Sequence, residues 1–178
     1  MKKTPHSLKF GFLSLVILCW SFLSCSSTDG IDNYFTFNLE KNQFIINVTP
    51  TTAIGEEFVV TVPTMLDSVD LAKNGTSLSL LQSVKLTKLV LTSGDASFPM
   101  TSFDTVRLAA IADSLTAQLL ALYSGASDAV SLTNADFAAY VKKTSSKFSI
   151  AFKLNKAPTQ PVSITGEYTL VFSAKPQE

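Results

Sequence analysis

The carboxylate side chains come nearest to catalytic chemistry in this sequence of 178 residues. Asp67 and Asp70 lie three residues apart, and Glu56 and Glu57 are adjacent. A glycosidase needs two carboxylates about 5–9 Å apart, one to protonate the leaving group and one to attack the sugar or activate water. Sequence spacing does not establish such a pair, and solvated loop carboxylates explain these residues more simply. We therefore assign no catalytic residue.

Several other polar residues could have a chemical role, but each also has a simpler structural explanation. Asn134 and Asp136 offer oxygens to calcium, but calcium needs six to eight ligands, so helix capping by Asn134 is the better interpretation and no metal site is expected. Ser146 and Lys147 are the residue types of a catalytic serine-lysine pair. They are adjacent in the sequence, however, and neighbours on a strand point to opposite faces, so the two side chains could not meet there. Arg107 interrupts a strand pattern, where a salt bridge to a neighbouring strand is favoured over anion binding.

Aromatic residues near position 35 are candidates for contact with sugar rings. Tyr34, Phe35 and Phe37 offer flat apolar faces on which a sugar ring can stack. The alternation of Phe35 and Phe37 with polar residues nevertheless predicts that both belong to the core.

The chain lacks the usual catalytic side chains in its larger part. The one histidine, His6, and the one tryptophan, Trp20, precede Cys25, and Cys19 and Cys25 are the two cysteines. Serine and cysteine hydrolases of the common kinds need an imidazole base, and common zinc sites need Cys or His. No phosphate-cradling glycine motif is present. We therefore expect no cofactor.

The charge distribution argues against a nucleic-acid partner. Three of the 14 basic residues precede Cys25, whereas all 14 acidic residues follow it, so the later part carries a net charge of about −3. Arg107 is the sole arginine, although arginine is preferred for binding phosphates. A nucleic-acid-binding surface needs a basic stripe, which this sequence does not contain.

The first 25 residues have the pattern of a secretion signal. Lys2, Lys3 and Lys9 precede an apolar run from 10 to 23, which is too short to span a bilayer comfortably. The run ends in Leu23-Ser24-Cys25, which resembles the bacterial lipobox. The resemblance implies cleavage after residue 24 and a diacylglycerol linked to Cys25. Residues 1–24 are then a lipoprotein signal peptide, and residues 25–33 are the lipidated cysteine and a polar tether.

This resemblance carries an expectation about location. One acyl chain holds a protein to a membrane only reversibly, whereas two or more anchor it stably. Ser26 stands where inner-membrane retention would have Asp, which favours the outer membrane. The orientation, periplasmic or surface-exposed, stays open.

Residues 34–178 predict one all-β domain. Apolar and polar residues alternate in 35–39 and 148–154, which is the pattern of half-buried strands. Further strands are predicted at 44–48, at the β-branched segment 58–62, at 84–91, where Lys85 and Lys88 break an apolar run, and at 162–174. Turn residues separate these segments, and Gly166 is a candidate bulge. Many short strands with few charges indicate an antiparallel β-sandwich of immunoglobulin-like architecture.

Residues 106–123 admit two interpretations. Leu108, Ile111, Leu115 and two later leucines have helical spacing, with Asp104 as a possible N-cap. The alternative is two strands, 106–112 and 117–123, joined by a turn at 113–114. The segments 103–108, 134–140 and the ending Ala174-Lys175-Pro176 resemble a group of lipid-anchored β-sandwich proteins of Gram-negative gut bacteria. This resemblance, which covers about the last 95 residues, favours the two strands.

One or two short helices are expected outside the strands. Asn134 is a candidate cap for a helix over 135–142, because Asn accepts a hydrogen bond from a first-turn N–H. A second helix is predicted over 65–73, with Thr64 as its cap.

Three segments resemble the acceptor motif for O-glycosylation in exported proteins of gut bacteria. Each has aspartate, then a hydroxyl residue, then an aliphatic residue. The possible acceptors are Ser68, Thr105 and Ser114. Turn and cap chemistry also favours Asp-Ser and Asp-Thr pairs, so the two explanations stay open.

These observations lead to one expectation of function and one alternative. We expect a cell-envelope lipoprotein that acts as a non-enzymatic binding or structural module, held to the membrane through Cys25. Its partner is an envelope protein or a glycan. The alternative is a carboxylate-dependent glycan hydrolase or a glycan-binding accessory protein.

Overall fold

The structure, a computed structural model, describes residues 33–64 and 68–177. The predicted signal peptide, Cys25 and nearly all of the predicted tether lie outside these residues. The described part contains eight strands: β1 Phe35–Val48, β2 Glu57–Pro63, β3 Leu81–Ser93, β4 Phe103–Ile111, β5 Gln118–Ser124, β6 Ala129–Leu132, β7 Lys147–Leu154 and β8 Val162–Ala174. Two short helices, α1 Ser68–Lys73 and α2 Ala138–Val141, and two 3-10 turns, Leu78–Leu80 and Met100–Ser102, complete it.

The strands form two antiparallel sheets. Sheet A has the order β1-β8-β3, and sheet B has the order β2-β7-β4-β5-β6. The predicted all-β antiparallel sandwich with short helices is therefore confirmed. Within the described residues, neither helix has the length and apolar character needed to cross a membrane.

Alternation along each strand separates the core from the outer faces. In β8 the even-numbered residues from 162 to 174 are buried and the odd-numbered ones face outward. The core is rich in aromatic contacts between the sheets: Phe148 meets Tyr168 edge-on, with ring centroids 5.4 Å apart. Each fully buried side chain of this size contributes about 1.5–3 kcal/mol.

Residues 106–123 form two strands, as the resemblance favours, and not a helix. β4 is paired on both sides, with β5 and with β7. The residues at helical spacing consequently do not lie on one face: Leu108 points into the core, whereas Leu119 is 36% exposed. The intervening turn contains Ser114 at φ 64° and a hydrogen bond from the Leu115 N–H to the Ala112 carbonyl, 3.2 Å.

The prediction that Asn134 caps a helix from 135 to 142 is wrong. Helix α2 begins at Ala138, and Asn134 has a positive φ of 56°. The N-cap residue is Phe137, whose side chain makes no capping hydrogen bond. Asp136 precedes it, and its Oδ1 accepts hydrogen bonds from the N–H groups of Ala138 and Val84, both at 3.0 Å. The chain before α2 lies extended along β3, with the Phe137 N–H bonded to the Val84 carbonyl, and this pairing excludes a longer helix.

Two other local predictions have different outcomes. The helix predicted over 65–73 is present as α1, and the Thr64 hydroxyl donates to the Ser146 carbonyl, 3.2 Å away. Residues 65–67, whose N–H groups a Thr64 cap would bind, lie outside the described part, so that cap stays a prediction. Gly166 is not at a bulge, because it pairs in regular register with Phe44 and Leu91.

Candidate binding site

Two bulges distort sheet A at one level, on either side of its central strand. β1 bulges between Leu39 and Asn42, opposite residues 168–170 of β8. β3 bulges between Leu86 and Lys88, opposite residues 169–170. A bulge adds one residue to a strand, bends it and redirects the side chains beside it. The paired bulges therefore give this sheet an irregular outer surface midway along β8.

A depression of about 310 Å3 lies on the outer face of sheet A at this level. It is lined by Glu40 of β1, by Lys88 of β3 and by residues 167–169 of β8. Each strand contributes one exposed charged side chain, that of β8 being Glu167. Tyr168 belongs to the core beneath, where its ring contacts Phe148. The three strands thus bring charges together that are far apart in the sequence.

The charged groups of this depression are not neutralised by one another. The ion pairs within the described part join Lys73 to Asp70 at 3.1 Å, Arg107 to Glu57, and Lys153 to Asp104 at 3.6 Å. None of them includes Glu40, Lys88 or Glu167. The depression consequently offers two carboxylates as acceptors and one ammonium group as a donor.

The remainder of the outer face of sheet A is mostly uncharged and polar. Hydroxyl and amide side chains occupy most of it, and the Ser163 hydroxyl contacts the Asn47 amide oxygen at 2.9 Å. Hydroxyl and amide groups both donate and accept hydrogen bonds. Three aliphatic side chains interrupt this polar surface: Ile45, which is 52% exposed, Val90, which is 40% exposed, and the half-buried Val171.

A second depression, of about 290 Å3, lies on the outer face of sheet B and is lined by Arg107, Ala109, Ala117, Leu119, Ser149 and Ala151. Arg107 makes an ion pair with Glu57 on β2. The predicted salt bridge is therefore present, although its partner lies two strands away. Ala151 of β7, the strand between β4 and β2, is the register partner of Arg107. The charge of this depression is thus compensated from within the fold.

A smaller cavity of about 110 Å3 lies among the loops beyond β3 and β7, beside Phe98 and Lys156. Near it, the Ser97 hydroxyl and the Ser97 N–H donate to Asp95 at 2.7 and 2.8 Å, and the Gln160 amide donates at 3.0 Å. These hydrogen bonds hold the pKa of Asp95 below its usual value. Asp95 thus joins two loops at this end of the sandwich.

Among the carboxylates singled out from the sequence, Asp70 and Glu57 each make an ion pair with a basic side chain. Asp70 binds Lys73 and Glu57 binds Arg107, while Asp67 lies outside the described residues. Asp136 accepts two backbone N–H groups and so serves the fold. Across residues 33–64 and 68–177, no group of three or more His, Cys, Asp or Glu is placed to hold a metal ion.

The aromatic candidates and the Ser146-Lys147 pair are in contacts or positions that serve the fold. Phe37 stacks on Phe172 at 5.0 Å between ring centroids, as expected for a core residue. The Lys175 ammonium lies over the Tyr34 ring, 5.5 Å from its centroid. Ser146 is buried, and its hydroxyl has no hydrogen-bond partner among the described residues, whereas Lys147 is exposed.

The three possible glycosylation acceptors differ in accessibility. Ser68 is exposed as the first residue of α1, and Ser114 is exposed in the turn between β4 and β5. Thr105 is half-buried within β4, opposite Ser124 on one side and Lys153 on the other. An enzyme reaches a turn more easily than a strand enclosed on both sides.

Sequence reasoning missed the charged depression, although a signal for it exists. The core-facing residues of β1 are odd-numbered and half-buried up to Leu39, and even-numbered and buried from Phe44, so the phase of the alternation changes between them. In β3 the same change separates Leu86 from Leu89. A change of phase within one strand marks a bulge, because the side-chain period is two.

Comparisons with known proteins add no relative. No protein-family model, no curated protein and no solved structure matches this chain.

Proposed function

We propose that this protein is a lipid-anchored, non-enzymatic binding module of the outer membrane. The observation that carries the proposal is the depression on sheet A, defined by Glu40, Lys88, Glu167 and Thr169. Among the side chains that the structure describes, none forms an ion pair with these exposed charged groups, which are therefore available to a ligand. The volume of the depression, about 310 Å3, lies at the lower end of the range of small-ligand pockets, about 300–1,000 Å3.

The proposed anchor rests on the resemblance of Leu23-Ser24-Cys25 to the lipobox. Within the described residues, Phe35 at the start of β1 pairs with Ala174 at the end of β8, and the depression lies midway along β8.

The anchor is tested by Cys25→Ala in the full chain. We expect the variant to keep its signal peptide, to incorporate no radiolabelled fatty acid and to leave the detergent phase on phase separation. A variant that still partitions and incorporates label like the wild type contradicts a lipid on Cys25.

The binding surface is tested by site-directed cross-linking in intact envelopes. Val90→Cys places a thiol beside the depression, since Val90 pairs with Glu167, and a photoreactive maleimide is attached there. Val59→Cys is the matched control, because Val59 is 58% exposed on the outer face of sheet B. We expect a saturable adduct from the probe at position 90 alone.

Two outcomes contradict the proposal. The absence of an adduct at either position argues against a binding module. An adduct from the probe at position 59 alone moves the binding surface to sheet B.

A further inference from the structure

We infer that the depression on sheet A binds a neutral glycan, an inference that rests on the proposed binding function and names its ligand class. Glu40 and Glu167 accept hydrogen bonds, and Lys88 donates them. A sugar hydroxyl does both, so a chain of hydroxyls matches this mixture of groups. The notable feature is that all three charges are exposed and lack an ion-pair partner within the described residues.

The charge pattern distinguishes this ligand from charged ones. An anionic ligand meets two carboxylates within the depression, and a cationic ligand meets the Lys88 ammonium. Like charges in close contact are unfavourable by Coulomb's law, even though solvent weakens the repulsion at an exposed site. A neutral polyol avoids both repulsions and forms hydrogen bonds with each group.

The surface around the depression fits a saccharide longer than one ring. Thr165 and Gln43 adjoin Glu167 on the same outer face, Gln43 as its partner in the β1–β8 register. The exposed aliphatic side chains of Ile45 and Val90 offer apolar contacts to the C–H faces of sugar rings. The polar surface follows β8, whose 13 residues extend for about 43 Å at 3.3 Å per residue.

The depression on sheet A offers free hydrogen-bonding groups that the depression on sheet B lacks. On sheet B the one charged group lining the depression, Arg107, is already paired with Glu57, and four of the other five lining residues are alanine or serine. That surface presents fewer free hydrogen-bonding groups to a sugar. Glycan binding is therefore assigned to sheet A alone.

The test uses the processed full-length lipoprotein in detergent micelles. Mannohexaose, xylohexaose and laminarihexaose are immobilised in turn, and binding is measured by biolayer interferometry. We expect at least one of these neutral probes to bind, with an affinity that changes less than twofold between low and high salt. Polygalacturonate and a lysine-containing dipeptide are the charged comparison probes.

The variants identify the surface involved. The double variant Glu40→Gln, Glu167→Gln is expected to lower the affinity at least tenfold, because two charged acceptors become neutral amides. Glu56→Gln is the matched control: it makes the same chemical change at an exposed loop residue away from the depression. Its affinity should equal that of the wild type.

Three results overturn the inference. They are no binding of any neutral probe, binding that the double variant leaves unchanged, and binding of a charged probe alone. Cross-linking at position 90 without binding of a neutral glycan refutes the ligand class while leaving the binding module in place. The absence of both refutes both proposals.

Discussion

The ring of Phe44 lies directly over the backbone of Gly166. A Cβ atom built on Gly166 would lie 2.2 Å from Cζ of Phe44, far inside van der Waals contact. The two residues face each other in the β1–β8 register, and both are buried. The glycine serves no unusual backbone geometry here; its missing side chain provides the space that an aromatic ring fills in the core.

Replacing this glycine should destabilise the domain. Gly166→Ala forces the Phe44 ring to move within a packed core, and such overpacking costs about 1–3 kcal/mol. Urea unfolding followed by circular dichroism measures the change. In a Phe44→Leu background the ring is absent, so the same substitution should cost much less. Equal costs in the two backgrounds would show that the contact is not the cause.

The two backbone hydrogen bonds that Asp136 accepts lead to a prediction opposite to that from the sequence. Asp136→Ala leaves the N–H groups of Val84 and Ala138 without their acceptor, and we expect a loss of about 1–3 kcal/mol. Asn134→Gly is the contrast, because glycine adopts the positive φ of 56° without strain. Its stability should stay within about 0.5 kcal/mol of the wild type. The reverse ranking in urea unfolding would restore Asn134 as the cap.

Tyr123 makes stability depend on pH in the alkaline range. The Tyr123 hydroxyl donates a hydrogen bond to the Asp128 carboxylate, 2.8 Å away. Burial, together with this hydrogen bond and the negative charge of Asp128, raises the pKa of Tyr123 from 10.0 to about 12. The unfolded chain therefore releases this proton near pH 10, whereas the folded domain holds it until about pH 12. The contribution of Tyr123 is complete below pH 10 and is lost as the pH rises towards 12.

The expected result is a free energy of unfolding that falls from pH 10 to about 12. Tyr123→Phe should remove that part of the fall, and Tyr34→Phe, at a tyrosine that is 46% exposed, should retain it. Identical pH profiles for the wild type and Tyr123→Phe would exclude this residue as the source.

Accessibility ranks the possible O-glycosylation sites. Ser114 is exposed in a turn, whereas Thr105 is half-buried in a strand with neighbours on both sides. Expressed in a gut bacterium that modifies this motif, Ser114→Ala should lose the mass of one glycan, and Thr105→Val should lose none. Intact-protein mass spectrometry measures both. Unmodified wild-type protein would leave turn chemistry as the explanation of the motif at Ser114.

Local sequence patterns determined the strands and their faces. The alternation in β7 and β8 predicts which residues are buried because successive side chains point to opposite sides of a sheet. The same patterns were insufficient at 106–123, where leucines at helical spacing compete with two strands. Pairing of β4 with β5 and β7 decides this case, and a sequence does not display its pairing partners.

The candidate site depends on the tertiary structure in a second way. The changes of phase near Leu39 and Leu86 mark each bulge within its own strand, and these are local features of the sequence. That both bulges lie at one level beside Thr169 depends on the register of β1 and β3 against β8. Register is set by the hydrophobic faces and turns of all three strands together. Glu40, Lys88 and Glu167 therefore meet only once the sheet has formed.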